Sequence, residues 1–344
     1  TKELVAAVLG AGGRVHATPG NLNNHIGLPL TLLGMDGGAE VLVTEMGANH
    51  PGEIRMLAGI ARPSTGVVTN IGPGHLAFFG DLDGVAAAKA ELLESLPANG
   101  TAVIPADDER AGFLAGRAAA PVVTFGVAGD ADVRVTEIET TGDGLRCLVD
   151  GAPLALSRFG RHHLLNAAAA VAVGRVFGVA PDEAVRLLAA APIAPGRGGV
   201  ERVAGVTVVD ETYNANPASL RAALDAFIEM PVEGRRWLVL GDMLELGDES
   251  ASLHAECGVF CGRAGVDGIV TIGRETIELS RAAAAQRKAP PAISHFMEPV
   301  SLAAFLAGEL EPGDAILVKG SRGSRMETVI EALVRLLEAG EGDA

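Results

Sequence analysis

Short apolar runs alternate with helical patterns over the first 125 residues of the chain. Four of these runs are rich in β-branched residues and predict buried strands: EVLVTEMG, TGVVTNIG, GTAVIP and APVVTFG. Loops or amphipathic segments follow them, including a predicted helix from Val85 to Leu96. Because helices between buried strands connect parallel neighbours, this half is predicted to be a parallel α/β domain.

The pattern changes between residues 132 and 158. Apolar and polar residues alternate there, and the sequences TGDG and DG mark tight turns. About three antiparallel strands are therefore predicted. Two Ala-rich helices follow, between residues 162 and 190.

A Pro- and Gly-rich stretch, APIAPGRGG, separates the two halves of the chain. From Val206 onward a second series of buried runs alternates with helical patterns: VTVVD, WLVLGD, GIVTIG, ISHFM and AILVKGS. This series predicts a doubly wound sheet. We therefore expect two α/β domains, one over residues 1–197 that contains the antiparallel strands and one over residues 198–344.

Composition narrows the class of protein. A length of 344 residues favours about two domains, and an apolar content of 48% supplies a core for each. The 27 basic and 43 acidic residues give a net charge of −16, which argues against nucleic-acid or anionic-membrane partners. Three cysteines are too few for a disulfide framework. With neither a signal-peptide pattern nor an apolar run long enough for a membrane span, the sequence predicts a cytoplasmic protein without membrane insertion.

The stretch DETYNANPASLRAAL, residues 210–224, places polar groups where a strand gives way to a helix. Asp210 ends an apolar, β-branched run, and Asn214, Asn216 and Pro217 are typical of a turn and a helix start. Ligands of open α/β sheets bind at the carboxyl ends of the strands. The segment is therefore a candidate binding site.

Further candidates lie at other predicted strand ends. Glu45 and His75 offer groups that bind divalent metal ions, and Lys89 lies in an Ala-rich helical pattern. Lys319 and Arg322, in VKGSRGSRMETV, have the charge to bind an anionic substrate. From spacing alone, all of these are also explained as exposed polar residues.

Two more polar segments precede predicted helices. The loop TPGNLNNHIGLPLTLL offers Asn side chains that cap a helix or bind a polar ligand. The segment GRHHLLNAAAA places His163 and Asn166 at a helix start. Adjacent His residues indicate a metal only weakly, because neighbours on a helix point in different directions.

Taken in order, these segments resemble the Mur ligase family from residue 1 to about residue 330. The matching segments are TKE, GNLNNHIGLPLTLL, EMGANHPGEI, TNIGPGHL, AKAELL, GRHHLLNAAAA, APGR, DETYNANPAS, GDMLELG and VKGSRGSRME. YNANP, GDMLELG and EMGANHPGEI favour the branch that adds D-alanyl-D-alanine. The resemblance implies a P-loop-NTPase-like central ligase domain and a Rossmann-like C-terminal domain.

The resemblance also implies roles for residues of the first half. ATP and Mg²⁺ would be the cofactors, with Glu45, His75 and a carbamylated Lys89 around the metal. His75 and Lys89 would take part in catalysis. His163 and Asn166 align with the segment near the adenine, although the family often has Asn in place of His163.

In the linker and second half, the position matching Asp210 contacts the ribose of ATP, and Arg197 matches an arginine that approaches the nucleotide phosphates. Tyr213 and Asn214 would shape the nucleotide cleft. The substrate residues would be Asn216, Lys319 and Arg322. Asp is common in the family at the position of Glu211.

The implied reaction joins D-alanyl-D-alanine to UDP-N-acetylmuramoyl-tripeptide through an acyl phosphate, in peptidoglycan precursor synthesis. Alternatives are another Mur-type ligase or a folylpolyglutamate synthetase with a different amine, and a non-catalytic binding protein without the nucleotide loop. The family's Gly-Lys-Thr phosphate loop should stand just before TKE, after an N-terminal domain. We therefore expect the chain as given to begin partway through its first domain, to fold at least in its second, and to show little ligase activity.

Overall fold

The structure, a computed structural model, describes residues 1–72 and 76–341. It divides into two compact units. The first unit comprises Thr1–Ile138, Arg146–Ala155 and His162–Ala191. The second unit comprises Glu139–Leu145, Leu156–Arg161 and Pro192–Ala344.

In the described part of the chain before residue 162, the structure has eight strands. A parallel pair consists of β1 (Val15–Ala17) and β2 (Val41–Val43). A six-stranded sheet has its strands in chain order, with parallel pairing as far as β6: β3 (Thr65–Val67), β4 (Thr101–Pro105), β5 (Val122–Gly126), β6 (Val133–Thr141), β7 (Gly144–Val149) and β8 (Ala152–Leu156). Two-residue turns join β6 to β7 and β7 to β8, and connections this short join antiparallel strands.

Helices of the first unit pack beside these strands. They are α1 (Lys2–Leu9), α2 (Gly27–Leu33), α3 (Glu53–Ala61), α4 (Leu76–Phe79), α5 (Leu82–Glu94), α6 (Ala111–Arg117), α7 (His162–Val176) and α8 (Pro181–Ala190). Helix α5 begins earlier than its apolar pattern predicts, because the Asp81 side chain accepts a hydrogen bond from the Gly84 amide at 2.8 Å. The middle of helix α7 is buried and packs against α1, β4 and β5, which its small Ala side chains allow.

The second unit is built on a second six-stranded sheet. Its strands are β9 (Gly199–Val203), β10 (Val206–Glu211), β11 (Arg236–Gly241), β12 (Gly268–Ile272), β13 (Ala292–Phe296) and β14 (Ala315–Lys319). Their order across the sheet is β13-β12-β11-β14-β10-β9. Five strands are parallel and β9 is an antiparallel edge.

Helices cover both faces of this sheet. They are α9 (Pro217–Glu229), α10 (Ser250–Cys261), α11 (Thr276–Ala284), α12 (Pro299–Glu309) and α13 (Glu327–Glu341). One core joins α9, α10 and α11 to side chains such as Leu238, and the other joins α12 and α13 to the alternate side chains, such as Val239. The chain crosses the sheet in one direction as far as β13 and returns to β14, so right-handed crossovers place the helices on opposite faces. The predicted doubly wound α/β fold is confirmed.

Two strands were not predicted from the sequence. Strand β1 has only three residues and includes a histidine, and β9 lies directly after the Pro- and Gly-rich stretch that favoured a linker. Within the part of the chain that the structure describes, every helix is too short or too polar to cross a bilayer.

Candidate functional site

A cleft of about 970 Å³ opens in the first unit, beside the ends of β2 and β3 and the inner faces of α1 and α5. We call it the cleft. Its volume is in the range of small-molecule and cofactor sites. Polar side chains in its lining include Lys2, Asn23, Glu45, Asn49, Thr69 and Lys89.

Glu45 reaches the cleft from the segment after β2. Its amide donates to Thr18 Oγ1 at 3.0 Å, and its Oε1 accepts a hydrogen bond from Asn23 Nδ2 at 2.7 Å. Thr18 is 2% exposed. A buried hydroxyl and a fixed amide therefore hold the backbone and the carboxylate of Glu45 together.

Lys89 extends from α5 towards the loop after β3. Its Nζ donates to the backbone oxygen of Asn70 at 2.6 Å and to Asn70 Oδ1 at 3.3 Å. Partial burial lowers the pKa of the Lys89 ammonium group, and the negative charge of Asp108 partly opposes that effect. Both Lys89 and Glu45 line the cleft. His75 lies outside the described residues, so its role stays a prediction.

Asp108 was not among the predicted site residues. Its Oδ2 accepts a hydrogen bond from the Ile71 amide at 2.9 Å, and its Oδ1 accepts one from the Arg110 amide at 3.0 Å. It therefore fixes the loop that carries Asn70. Its position shortly after β4 was the available signal, because polar residues at parallel strand ends converge on one edge of a sheet.

His163 and Asn166 both lie in the first turns of α7. Asn166 Oδ1 accepts a hydrogen bond from Thr1 Oγ1 at 2.6 Å, and the buried His163 ring lies 4.1 Å from the ring of His162. Neither His163 nor Asn166 is among the described residues that line the cleft.

The second candidate region is the carboxyl end of β10, β11 and β14, which we call the sheet end. Asp210 lies here with both carboxylate oxygens engaged. Oδ2 accepts from the Gly196 amide at 2.8 Å, and Oδ1 accepts from the amide and the hydroxyl of Thr212 at 3.1 and 2.6 Å. The Gly198 amide also donates to the Asp210 carbonyl oxygen at 2.7 Å. Asp210 therefore ties the segment before β9 to the end of β10.

Arg197 and Tyr213 meet at this point. The guanidinium carbon of Arg197 lies 3.7 Å from the centroid of the Tyr213 ring, and the Tyr213 amide donates to the Gly196 carbonyl oxygen at 3.0 Å. A guanidinium group this close to an aromatic face forms a cation–π contact. The sequence predicted both residues separately, and the structure brings them together.

Asn214 and Asn216 have different surroundings. Asn214 is exposed, and its side chain accepts a hydrogen bond from the adjacent Ala215 amide at 2.9 Å. Asn216 caps α9: its Oδ1 accepts from the Ser219 amide at 2.8 Å, and Ser219 Oγ accepts from the Asn216 amide at 3.0 Å. The helix start expected at Asn216 and Pro217 is confirmed.

Lys319 and Arg322 also differ. The Lys319 side chain is 3% exposed, and its Nζ contacts Glu211 Oε2 at 3.2 Å and the Asn214 carbonyl oxygen at 2.8 Å. Burial raises the pKa of Glu211, an effect that Lys319 opposes. Arg322 is exposed on the loop after β14. Of these two cations, Arg322 has the greater access to a dissolved anion.

The chain is similar to known ligases over nearly its whole length. A model of the Mur ligase middle domain matches residues 1–174, and a model of the Mur ligase, glutamate ligase domain matches residues 196–322. The UDP-N-acetylmuramoyl-tripeptide–D-alanyl-D-alanine ligase of Bacillus subtilis (strain 168) is 33% identical to this chain over 337 residues. That alignment covers 97% of this chain and 73% of the relative.

Solved structures agree with these matches. A MurF structure from Acinetobacter baumannii superposes with a TM-score of 0.86 at 31% identity, over 97% of this chain and 74% of that one. The MurF ligase from Thermotoga maritima in complex with ADP superposes with a TM-score of 0.83 at 31% identity, over 98% of this chain and 77% of that one.

Proposed function

The chain belongs to the Mur ligase family, and on that premise we propose that it joins D-alanyl-D-alanine to UDP-N-acetylmuramoyl-tripeptide in an ATP-dependent reaction of peptidoglycan synthesis. The observation that carries the proposal is that one ligand-sized cleft is lined by both the Glu45 carboxylate and the partly buried amine of Lys89. These groups suit a site where phosphate is transferred.

The donors around the cleft fit a magnesium ion. Mg²⁺ prefers oxygen ligands and is usually held by one or two carboxylates with water and phosphate oxygens completing its shell. Glu45 supplies one carboxylate, already oriented by Asn23. When bound, the ion would neutralise negative charge on the phosphates of ATP.

Lys89 would supply a second oxygen ligand after carbamylation. The free amine, not the ammonium ion, attacks carbon dioxide, and burial of Lys89 favours the free amine by lowering its pKa. The product is an anionic carbamate on a side chain that lines the same cleft as Glu45. We assign His75 to this centre as well, on the family resemblance alone.

Residues near the start of α7 and in the second unit complete the proposal. We assign His163 and Asn166 to the adenine, Asp210 to the ribose, and Arg197 to the phosphates, with Tyr213 and Asn214 beside them. We assign Asn216, Lys319 and Arg322 to the substrates. The Arg197 contact with Tyr213 supports a joint role for these two. The hydrogen bonds of Asp210, Asn216 and Lys319 give each of them a structural role in addition.

The reaction has two transfers. A carboxylate oxygen of the tripeptide attacks the γ-phosphorus of ATP, and ADP leaves. The free amine of D-alanyl-D-alanine then attacks the acyl carbon, the bond from that carbon to the phosphate oxygen breaks, and inorganic phosphate leaves as the amine loses a proton. Positioning the two reactants and stabilising the developing charge are the tasks of the protein.

Two further statements belong to the same proposal. We place the reaction in the cytoplasm, a location supported by three buried cysteines that are all free thiols, as in a reducing compartment. We also place the boundary between the central and C-terminal ligase domains at residues 197 and 198, within the Pro- and Gly-rich stretch.

A panel of amines tests the proposed function. The protein, as it occurs naturally, is supplied with Mg-ATP, UDP-N-acetylmuramoyl-tripeptide and one amine at a time, and phosphate release and the ligated product are measured. D-alanyl-D-alanine should be the preferred amine over D-alanine, D-glutamate and a diamino acid. Preference for D-glutamate or a diamino acid would place the chain in another branch. Failure with every amine would favour a non-catalytic binding protein.

A further inference from the structure

The loop Asp242–Leu246 after β11 is held at its first three residues by other elements of the second unit. The first of these residues is Asp242, whose carbonyl oxygen accepts hydrogen bonds from the Ser321 amide at 3.0 Å and from Ser324 Oγ at 2.8 Å. The Asp242 carboxylate caps α11 by accepting hydrogen bonds of 2.9 to 3.0 Å from the amides of Arg274, Glu275 and Thr276. We call residues 242–246 the clamped loop.

Ser321 also holds the third residue of this loop. Its Oγ accepts from the Leu244 amide at 2.9 Å and donates to the Ala215 carbonyl oxygen at 3.1 Å. Ser321 is 4% exposed. One buried hydroxyl therefore links the clamped loop to the segment that precedes α9.

His254, on α10, holds the second residue. Its Nε2 accepts from the Met243 amide at 3.0 Å, and its Nδ1 lies 2.8 Å from the Ser250 carbonyl oxygen. A carbonyl oxygen only accepts and an amide only donates, so the ring must carry its proton on Nδ1 and be neutral. His254 is 0% exposed. These two hydrogen bonds fix the tautomer of the imidazole, and the one at Nε2 attaches it to the clamped loop.

The clamped loop presents two residues at the sheet end. Leu244 is 43% exposed, and Glu245 has a φ of 64°, in the left-handed region that a non-glycine residue adopts at a cost. A Cβ added at Gly323 would lie 2.5 Å from Leu244 Cδ1, so the loop after β14 passes directly against Leu244. Arg322 is exposed on that neighbouring loop.

We propose that His254 is a positioning residue that holds Leu244 and Glu245 as one wall of the site for the amine substrate. This inference rests on the proposed function and adds a recognition surface to it. D-alanyl-D-alanine carries two methyl groups, a free amine and a carboxylate. Leu244 offers an apolar surface to the methyl groups, Glu245 a negative charge to the amine, and Arg322 a positive charge to the carboxylate.

Two substitutions at one position separate this role from ordinary packing. His254→Gln places an amide oxygen near the position of Nε2 and keeps an acceptor for the Met243 amide. His254→Asn places its side-chain amide near the position of Nδ1. The backbone amide of Met243 is then left without its acceptor. We expect His254→Asn to raise KM for D-alanyl-D-alanine about tenfold, the effect of one lost hydrogen bond. KM for ATP and for the UDP-tripeptide should not change, and His254→Gln should behave as wild type.

Hydrogen exchange gives a readout that needs no substrate. The amides of Met243 and Leu244 should lose protection in His254→Asn and keep it in His254→Gln. If His254→Asn fails to fold, Ser321→Ala removes the acceptor of the Leu244 amide and should raise the same KM selectively. Equal behaviour of the Gln and Asn variants, or a fall in kcat with every KM unchanged, would overturn the positioning role.

The wild-type enzyme separates failure of this inference from failure of the proposed function. If wild type ligates D-alanyl-D-alanine and His254→Asn leaves its KM unchanged, only the inference fails. If wild type prefers another amine, the proposed function fails, and the recognition of D-alanyl-D-alanine by Leu244, Glu245 and Arg322 fails with it.

Discussion

The cleft and the sheet end use the same kinds of side chain in different ways. In the cleft, Glu45 and Lys89 line a volume large enough for a ligand, and the side chain of each forms its hydrogen bonds with a single residue, Asn23 and Asn70 respectively. At the sheet end, the side chains of Asp210 and Lys319 are each bound to two different residues of neighbouring segments. A charged residue at the edge of a sheet can therefore remain available to a ligand or can tie neighbouring segments together, and its bonding partners distinguish these two cases.

The largest expected difference concerns chemistry. Lys89→Ala should lower kcat at least about a hundredfold, the scale for removing a group that stabilises the transition state, and bicarbonate should not restore it. Wild-type protein given ¹³C-bicarbonate should show a carbamate carbon signal that Lys89→Ala lacks. Lys288→Ala, which changes an exposed lysine of the second unit, is the matched control and should be fully active. Near-normal turnover by Lys89→Ala would contradict the assignment.

At the sheet end, the largest effect should be on folding. Lys319→Met should lower the free energy of unfolding by about 3 to 5 kcal/mol, because it removes the buried cation that pairs with the largely buried Glu211 carboxylate. Urea unfolding measures this loss. Lys319→Met combined with Glu211→Gln should recover part of it. If Lys319→Met unfolds as wild type does while KM for a substrate rises, Lys319 serves the ligand and the contrast with the cleft fails.

Lowering the pH should reduce the loss of unfolding free energy in Lys319→Met. Burial already raises the pKa of Glu211, and Lys319 opposes the rise, so removing Lys319 should raise the pKa further. A folded-state pKa above the unfolded one means that the folded chain binds the proton more tightly, so stability increases as the pH falls through the folded pKa. The difference in unfolding free energy between wild type and Lys319→Met should narrow from pH 7 towards pH 5. A difference that is constant or widens would contradict this explanation.

The smallest effect is expected at the start of α9. Asn216→Ala removes the side-chain cap and should cost about 1 kcal/mol of stability. Asn214→Ala is the control, since Asn214 is exposed and its side chain accepts a hydrogen bond from the amide of the adjacent Ala215. Thermal unfolding compares the two variants. If Asn216→Ala is as stable as Asn214→Ala but has a higher KM for one substrate, the main role of Asn216 is to bind that substrate and not to cap α9.

Local patterns predicted much of the fold. The apolar, β-branched run into Asp210 and the turn chemistry of Asn216 and Pro217 identified β10 and the start of α9. Strand β9 could not be found in this way, because it pairs with β10 at the edge of the sheet although Gly and Pro precede it. Its formation depends on a neighbouring strand and not on its own composition.

The partners of the site residues were less predictable. Glu211 and Lys319 are separated by 108 positions in the chain, and their contact arises because β10 and β14 are adjacent in the sheet. The buried His254 shares a helix face with Cys257 and Cys261, and it was not among the residues predicted from the sequence. Its bond to the Met243 amide required the fold.

The acyl phosphate can be tested directly with an isotope. UDP-N-acetylmuramoyl-tripeptide labelled with ¹⁸O in its terminal carboxylate is ligated to D-alanyl-D-alanine with unlabelled Mg-ATP, and the inorganic phosphate is analysed by mass spectrometry. Attack of the carboxylate on the γ-phosphorus predicts that each phosphate carries one oxygen from the tripeptide. Ligated product accompanied by phosphate without ¹⁸O would show that the carboxylate was never phosphorylated, and would contradict the proposed reaction.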